Sequence, residues 1–63
     1  MKNRVREFRL KAGLTQEALA EKSGVGRTVI SQLENGTRAV ITTDTMFKLA
    51  KSLDADAKDI FLS

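Results

Sequence analysis

Apolar residues fall along this chain at the spacing of short amphipathic helices, each opened by the same local device. An apolar residue precedes a capping residue, and a second apolar residue follows five positions after the first. That is the hydrophobic staple around a helix N-cap. It occurs as Leu14-Thr15…Leu19, Val25-Gly26…Ile30, Ile41-Thr42…Met46 and, more weakly, Ala55-Asp56…Ile60. Threonine and aspartate oxygens accept the unpaired N–H groups of a first turn, and glycine is acceptable there. Four such starts and an initial helix predict five helices. The first is expected from about Asn3 to Ala12, with Val5 and Phe8 on one face and Leu10 at its edge, and Gly13 ends it. The second is expected from Gln16 to Lys22 and the third from Arg27 to Glu34, stopped by Asn35-Gly36. The fourth runs from Thr43 to Leu53 with Met46, Leu49, Ala50 and Leu53 inward, and a short fifth carries Ile60 and Phe61. No alternating runs flank Asn35-Gly36, so it is not read as a hairpin turn. Without proline, low-complexity sequence or a linker, residues 1–63 read as a single domain, all-α in class.

The stretch Gln16 to Asn35 is the one the other helices support. Leu19 and Ala20 are inward on its first helix, Val25 plugs a corner, and Ile30 and Leu33 are inward on its second. Two helices meeting at a steep angle across three or four residues need a small side chain where they cross, here Ala20. They also need a residue tolerant of positive φ in the corner, here Gly24. This layout resembles the helix-turn-helix of the Cro/phage-repressor family, also called XRE-type. The residues that carry the resemblance are Arg9, Gly13-Leu14-Thr15-Gln16, Leu19-Ala20, Gly24-Val25, Ile30-Ser31, Leu33-Glu34-Asn35-Gly36 and Leu49-Ala50-Lys51-Ser52-Leu53. Each is weak alone, and in this order and spacing they cover almost the whole chain. The resemblance implies a compact five-helix, lambda-repressor-like DNA-binding domain of bacterial or phage origin.

Charge and composition fit that expectation without demanding it. The formal charge is +3 and the pI about 9.7, which favours a polyanionic partner. Residues 1–13 set Lys2, Arg4, Arg6, Arg9 and Lys11 against Glu7, a net of +4, while residues 41–63 set three lysines against four aspartates. By itself such a basic segment is also what a solvated helix face carries. The chain has no cysteine and no histidine, which removes disulfides, thiolate chemistry and the usual zinc ligands. No apolar run approaches a membrane span or a signal-peptide core, so a cytoplasmic, nucleoid-associated protein is expected.

Enzyme chemistry finds no constellation here. Without His or Cys, the Ser, Thr, Asp, Glu and Lys residues are scattered over short helices with no oriented base. Gly24-Val25-Gly26 lacks the third glycine and the preceding strand of a dinucleotide fingerprint. Asp54, Asp56 and Asp59 lack calcium-loop spacing and read as loop and first-turn acids of helix five. No cofactor, metal or small-molecule ligand is expected. Asn35-Gly36-Thr37 forms a glycosylation sequon that reads as coincidence.

The candidate chemistry is nucleic-acid recognition. With Ile30 and Leu33 inward, Arg27, Thr28, Ser31 and Gln32 fall on or near the outer face of helix three. Arginine can contact guanine O6 and N7, glutamine can contact adenine N6 and N7, and Thr28 offers a hydroxyl and a methyl. Any exposed helix carries such residues, and it is the surrounding motif that assigns them to base readout. The resemblance points to Arg27, Thr28 and Gln32 in particular. It leaves Arg27 open between base and backbone, and Val29 open between a thymine methyl and shielding the helix. It further implies that Gln16 contacts phosphate and braces the recognition helix, and that Asn35, Thr37 and Arg38 form a phosphate-clamping loop. It implies as well that Arg9 and Glu34 form a mostly buried structural salt bridge.

The loop after helix three departs from the family pattern. Thr37-Arg38-Ala39-Val40-Ile41-Thr42-Thr43 has one arginine and no proline. That weakens the expected clamp and leaves Val40 either exposed or tucked under the loop. A homodimer is expected, joined around Leu53 to Leu62 and acting as a repressor at a near-palindromic operator. The competing expectation is an antitoxin or adaptor of the same fold that uses Phe47, Val40 and Phe61 against a protein partner.

Overall fold

A computed structural model describes residues 2–38 and 40–62 of the chain. Five α-helices follow one another, α1 (Val5–Lys11), α2 (Gln16–Ser23), α3 (Arg27–Asn35), α4 (Thr43–Ser52) and α5 (Ala57–Phe61). Two of the expected caps form: Thr15 accepts a hydrogen bond from the Ala18 N–H at 3.0 Å, and Thr42 accepts one from the Thr45 N–H at 3.1 Å. Gly26 and Asp56 occupy the N-cap positions of α3 and α5 without a side-chain bond. Gly24 closes α2 at φ +75°, in the left-handed region that glycine alone enters without a Cβ penalty. Its N–H bonds to the Ala20 carbonyl at 2.9 Å.

Every helix sends a buried apolar residue to one shared core: Val5 from α1, Leu19 from α2, Ile30 and Leu33 from α3, Leu49 and Ala50 from α4, Ile60 and Phe61 from α5. Helix α2 packs on both α3 and α4, and α5 closes the other side against α4 and α1. Ala20, Phe8 and Met46 are half-buried against this core. The fold therefore holds α3 by its Ile30–Leu33 stripe and leaves its opposite edge outside.

The first helix is shorter than expected because Asn3 does not join it. The Asn3 side chain accepts from the Val5 N–H at 3.0 Å and donates to the Leu33 carbonyl at 2.9 Å. A short polar side chain that bonds the nearby backbone competes with helix formation, and here it ties the start of α1 to the end of α3. The Arg4 N–H in turn bonds the Ile60 carbonyl at 2.7 Å. The N-terminal segment is thus fastened to both α3 and α5. Helix α4 ends one residue early, and Asp54 turns out of it at φ +53°.

Side-chain placement corrects one expectation and resolves two. Phe61 is buried at 7% exposure, so it belongs to the core and not to a partner-binding surface. Val40, at 73%, is not tucked under the loop, and Phe47, at 61%, does not cap the core. Between Leu53 and Leu62, Leu53 and Ile60 are also buried, and Leu62 is the large apolar residue left outside. Ala39, in the same loop as Val40, lies outside the described residues.

Candidate nucleic-acid interface

The outer edge of α3 forms one wall of a shallow cleft of about 300 Å³ lined by Gln16, Arg27, Thr28, Ser31 and Gln32. All four residues expected to read bases are therefore brought together, with Gln16 from the start of α2 opposite them. Arg27 and Thr28 are exposed, and Ser31 and Gln32 half-buried. The N-terminus of α3 has neither a side-chain cap nor an acidic residue in its first turn. Its leading N–H groups and the positive end of its dipole are accordingly available to an anion. Helix α2 differs, since Thr15 caps it and Glu17 lies in its first turn.

Arg9 and Glu34 lock α1 to α3. The guanidinium grips the carboxylate in two bonds, Nε to Oε2 at 2.7 Å and Nη2 to Oε1 at 2.9 Å. Its Nη1 donates to the Leu14 carbonyl at 2.8 Å. The side chains are only 11% and 4% exposed. Burial pushes the Glu34 carboxyl upward, but the hydrogen bonds from Arg9 and Gln16, with the charges of Arg9 and Arg6, outweigh it and hold the group below its ordinary value. Hydrogen bonding to Glu34 raises the Arg9 guanidinium, against the opposing effect of burial.

Gln16 joins this network, its Nε2 donating to Glu34 Oε1 at 3.3 Å. The glutamine at the head of α2 thus braces the recognition helix through the buried carboxylate near its far end. Elsewhere in the basic N-terminal segment, Arg4 is paired with Glu7 and stacks over the Phe8 ring with its guanidinium carbon 5.1 Å from the centroid. Lys11 reaches Glu7 at 3.9 Å. Arg4, Arg9 and Lys11 therefore face carboxylates within the chain, and the net charge of that segment overstates what it offers a partner.

The loop after α3 folds back on the helix. The Gln32 carbonyl accepts from the Thr37 N–H at 3.0 Å, the Arg38 N–H at 3.3 Å and the Thr37 hydroxyl at 3.4 Å. Arg38 Nη1 donates to Gln32 Oε1 at 2.8 Å, and Arg38 Nε to the Val40 carbonyl at 3.0 Å. A residue expected on the bases and one expected on the backbone are joined, a link that no local spacing announces. Asn35 and Thr37 are exposed at the same end of α3.

Comparison with known proteins agrees with this geometry. A helix-turn-helix family model matches residues 5–60. The chain belongs to the helix-turn-helix family. An uncharacterized HTH-type transcriptional regulator of Archaeoglobus fulgidus is 42% identical over 62 residues, which is 98% of this chain and 87% of that one. Control protein C.BamHI of Bacillus amyloliquefaciens is 41% identical over 58 residues, 90% of this chain and 70% of its own length. The crystal structure of the restriction-modification controller protein C.AhdI from Aeromonas hydrophila superposes with a TM-score of 0.80 at 39% identity, covering 89% of this chain and 83% of that one.

In helix-turn-helix terms, α2 takes the place of the bracing helix and α3 that of the recognition helix, the element that in this motif lies in the major groove. The Cro/phage-repressor resemblance, the five-helix architecture and the corner at Gly24 all hold. No helix among the described residues is long and apolar enough to cross a membrane.

Proposed function

We propose that this helix-turn-helix transcriptional regulator is a repressor that binds a near-palindromic operator as a homodimer, with α3 of each subunit in the major groove. The observation that carries the reading is the single cleft lined by Gln16, Arg27, Thr28, Ser31 and Gln32, open to solvent on the side of α3 away from the core. Arg27, Thr28, Ser31 and Gln32 read bases. Gln16, Asn35, Thr37 and Arg38 hold the backbone, aided by the uncapped start of α3. One such helix spans only a few base pairs, and a useful specificity ratio requires two half-sites. A two-fold dimer spaces its recognition helices about 34 Å apart. The C-terminal region around Leu53 to Leu62 makes the dimer, with Leu62 as its exposed apolar contact. Relatives named as transcriptional regulators and as control proteins support a regulatory role, and a regulator bound to DNA acts at the nucleoid, in the cytoplasm.

Selection of bound duplexes from a random pool tests this directly. The expected result is an enriched motif with two-fold symmetry and half-sites one helical turn, or a multiple of it, apart. A pool that stays random after repeated rounds contradicts sequence-specific binding.

A second reading keeps the fold and gives its work to a protein partner. The exposed Val40 and Phe47 favour it, while the burial of Phe61 removes one of its three expected contacts. Two separate apolar side chains make a small patch, and the polar cleft on α3 has no role in that reading.

A further inference from the structure

The basic N-terminal segment contains one guanidinium that the fold does not pair. From Arg4 to Lys11, the cations Arg4, Arg9 and Lys11 each face a carboxylate of the chain. Arg6 is the exception: it is exposed, and no ion pair among the described residues includes it. Its five N–H donors and its charge remain for a group outside the chain.

The residues three positions to either side fix where Arg6 lies. Asn3 donates to the Leu33 carbonyl at 2.9 Å, and Arg9 grips the Glu34 carboxylate in two bonds. Leu33 and Glu34 are consecutive residues near the end of α3. Arg6 lies between these two anchors, one turn of α1 before Arg9 and on the same face. Its charge also acts on Glu34 and helps to hold that carboxyl below its ordinary value. The chain leaves Glu34 into Asn35, Gly36, Thr37 and Arg38, the stretch that supplies the backbone contacts in the reading above. Helix α1 therefore brings a cation beside that stretch from a separate part of the chain. Arg6 does not line the cleft of Gln16, Arg27, Thr28, Ser31 and Gln32, so base edges are not its target. Phosphates border the groove on both sides, and a guanidinium matches their oxygens in charge and in donor geometry.

We propose that Arg6 is a DNA-backbone contact, binding a phosphodiester on the flank of the groove that α3 enters. The proposal rests on that groove-binding reading and extends the phosphate-binding surface onto α1. A cation near a helix C-terminus also complements the helix dipole. That role by itself would change stability and leave the salt dependence of DNA binding as it is.

The test is titration by fluorescence anisotropy at several salt concentrations between 50 and 200 mM. The probes are one labelled duplex enriched in the selection described above and a shuffled duplex of the same length. The proteins are the parent, Arg6→Gln and Lys11→Gln. Lys11→Gln removes the same unit charge from the same helix, at a lysine that faces Glu7. Arg6→Gln should reduce the log–log slope by about 0.9 per subunit, or about 1.8 for a dimer. Between 50 and 200 mM the parent should then lose about twelvefold more affinity than the variant. The loss should be the same on both duplexes, because a phosphate contact carries no sequence information. The urea midpoint should stay near that of the parent, as for an exposed side chain without partners, and Lys11→Gln should keep the parental slope. Three outcomes overturn the proposal while leaving α3 as the reader: an Arg6→Gln slope equal to the parent's, an equal reduction in Lys11→Gln, or a changed base preference in place of a uniform loss. A parent with a flat salt dependence, or one that enriches no duplex, overturns the groove-binding reading itself and this proposal with it.

Discussion

Arg9→Ala should cost roughly 3–5 kcal/mol of folding stability, the usual penalty for leaving a buried charge without its partner. A domain of this length has only about 3–9 kcal/mol in total, so the variant should be largely unfolded or close to it, read as a urea midpoint near zero by circular dichroism. The cause is the Glu34 carboxylate. It is 4% exposed and, without Arg9, keeps only the 3.3 Å bond from Gln16. Two further measurements identify this mechanism. Replacing both partners, Arg9→Met with Glu34→Leu, should recover most of the loss, because an apolar pair of similar volume substitutes well for a buried ion pair. The pH dependence should also reverse. In the parent, Glu34 is held below its ordinary carboxyl value, so its contribution is complete above the unfolded value of about 4.3 and is lost as pH falls through the lower folded value. In Arg9→Ala, burial without a counter-charge raises the group, and acidification should then stabilise the fold. Glu7 is also lowered, through its hydrogen bond from Arg4, but its exposed position makes it a minor contributor. A loss below about 1 kcal/mol, as for surface pairs, would contradict the buried-clamp account.

Raising salt from 50 to 200 mM should weaken DNA binding by roughly 10³–10⁵ if the dimer engages about 6–10 phosphates, since affinity falls with a log–log slope near −0.9 per phosphate neutralised. The residues behind this include those at the α3 edge and its following loop, with Arg27 and Arg38 among the cations. Arg9 contributes nothing to it, because its charge is already taken up by Glu34. Titration of a labelled duplex by fluorescence anisotropy at several salt concentrations gives the slope. A partner held through Val40 and Phe47 would give a nearly flat line. A steep slope common to every sequence would show phosphate contact without base readout.

Local signals in the chain predict most of the scaffold. Thr15 and Thr42 cap as their staples suggest, Gly24 takes the positive φ that the corner needs, and the inward positions of α3 and α4 follow from 3.6-residue spacing. Each of these is settled within a turn or two of its own residue. What the sequence hides is bonding across larger intervals. Asn3 looks helical until Leu33, thirty residues away, takes its amide hydrogen. Gln16 is expected to brace the recognition helix, but that it does so through Glu34, eighteen residues on, appears only in the fold. Phe61 is named with Phe47 as a contact in the partner-binding alternative, and the packing of α5 against α1 and α4 is what removes it. In the candidate site, the residue types on the α3 edge are legible from the pattern. The state in which Gln32 presents itself is not, because it depends on how a loop without proline folds back from Gly36.

A backbone amide NMR titration with a short duplex at low ionic strength tests the central claim most directly, since phosphate and groove contacts shift amides even when the duplex is not the operator. The account predicts that the largest shifts fall on Gln16, on residues 27–32 and on residues 35–38. Phe47 and the interior around Leu49 should stay nearly still. Shifts centred on Val40 and Phe47, or a spectrum unchanged at saturating duplex, would contradict it.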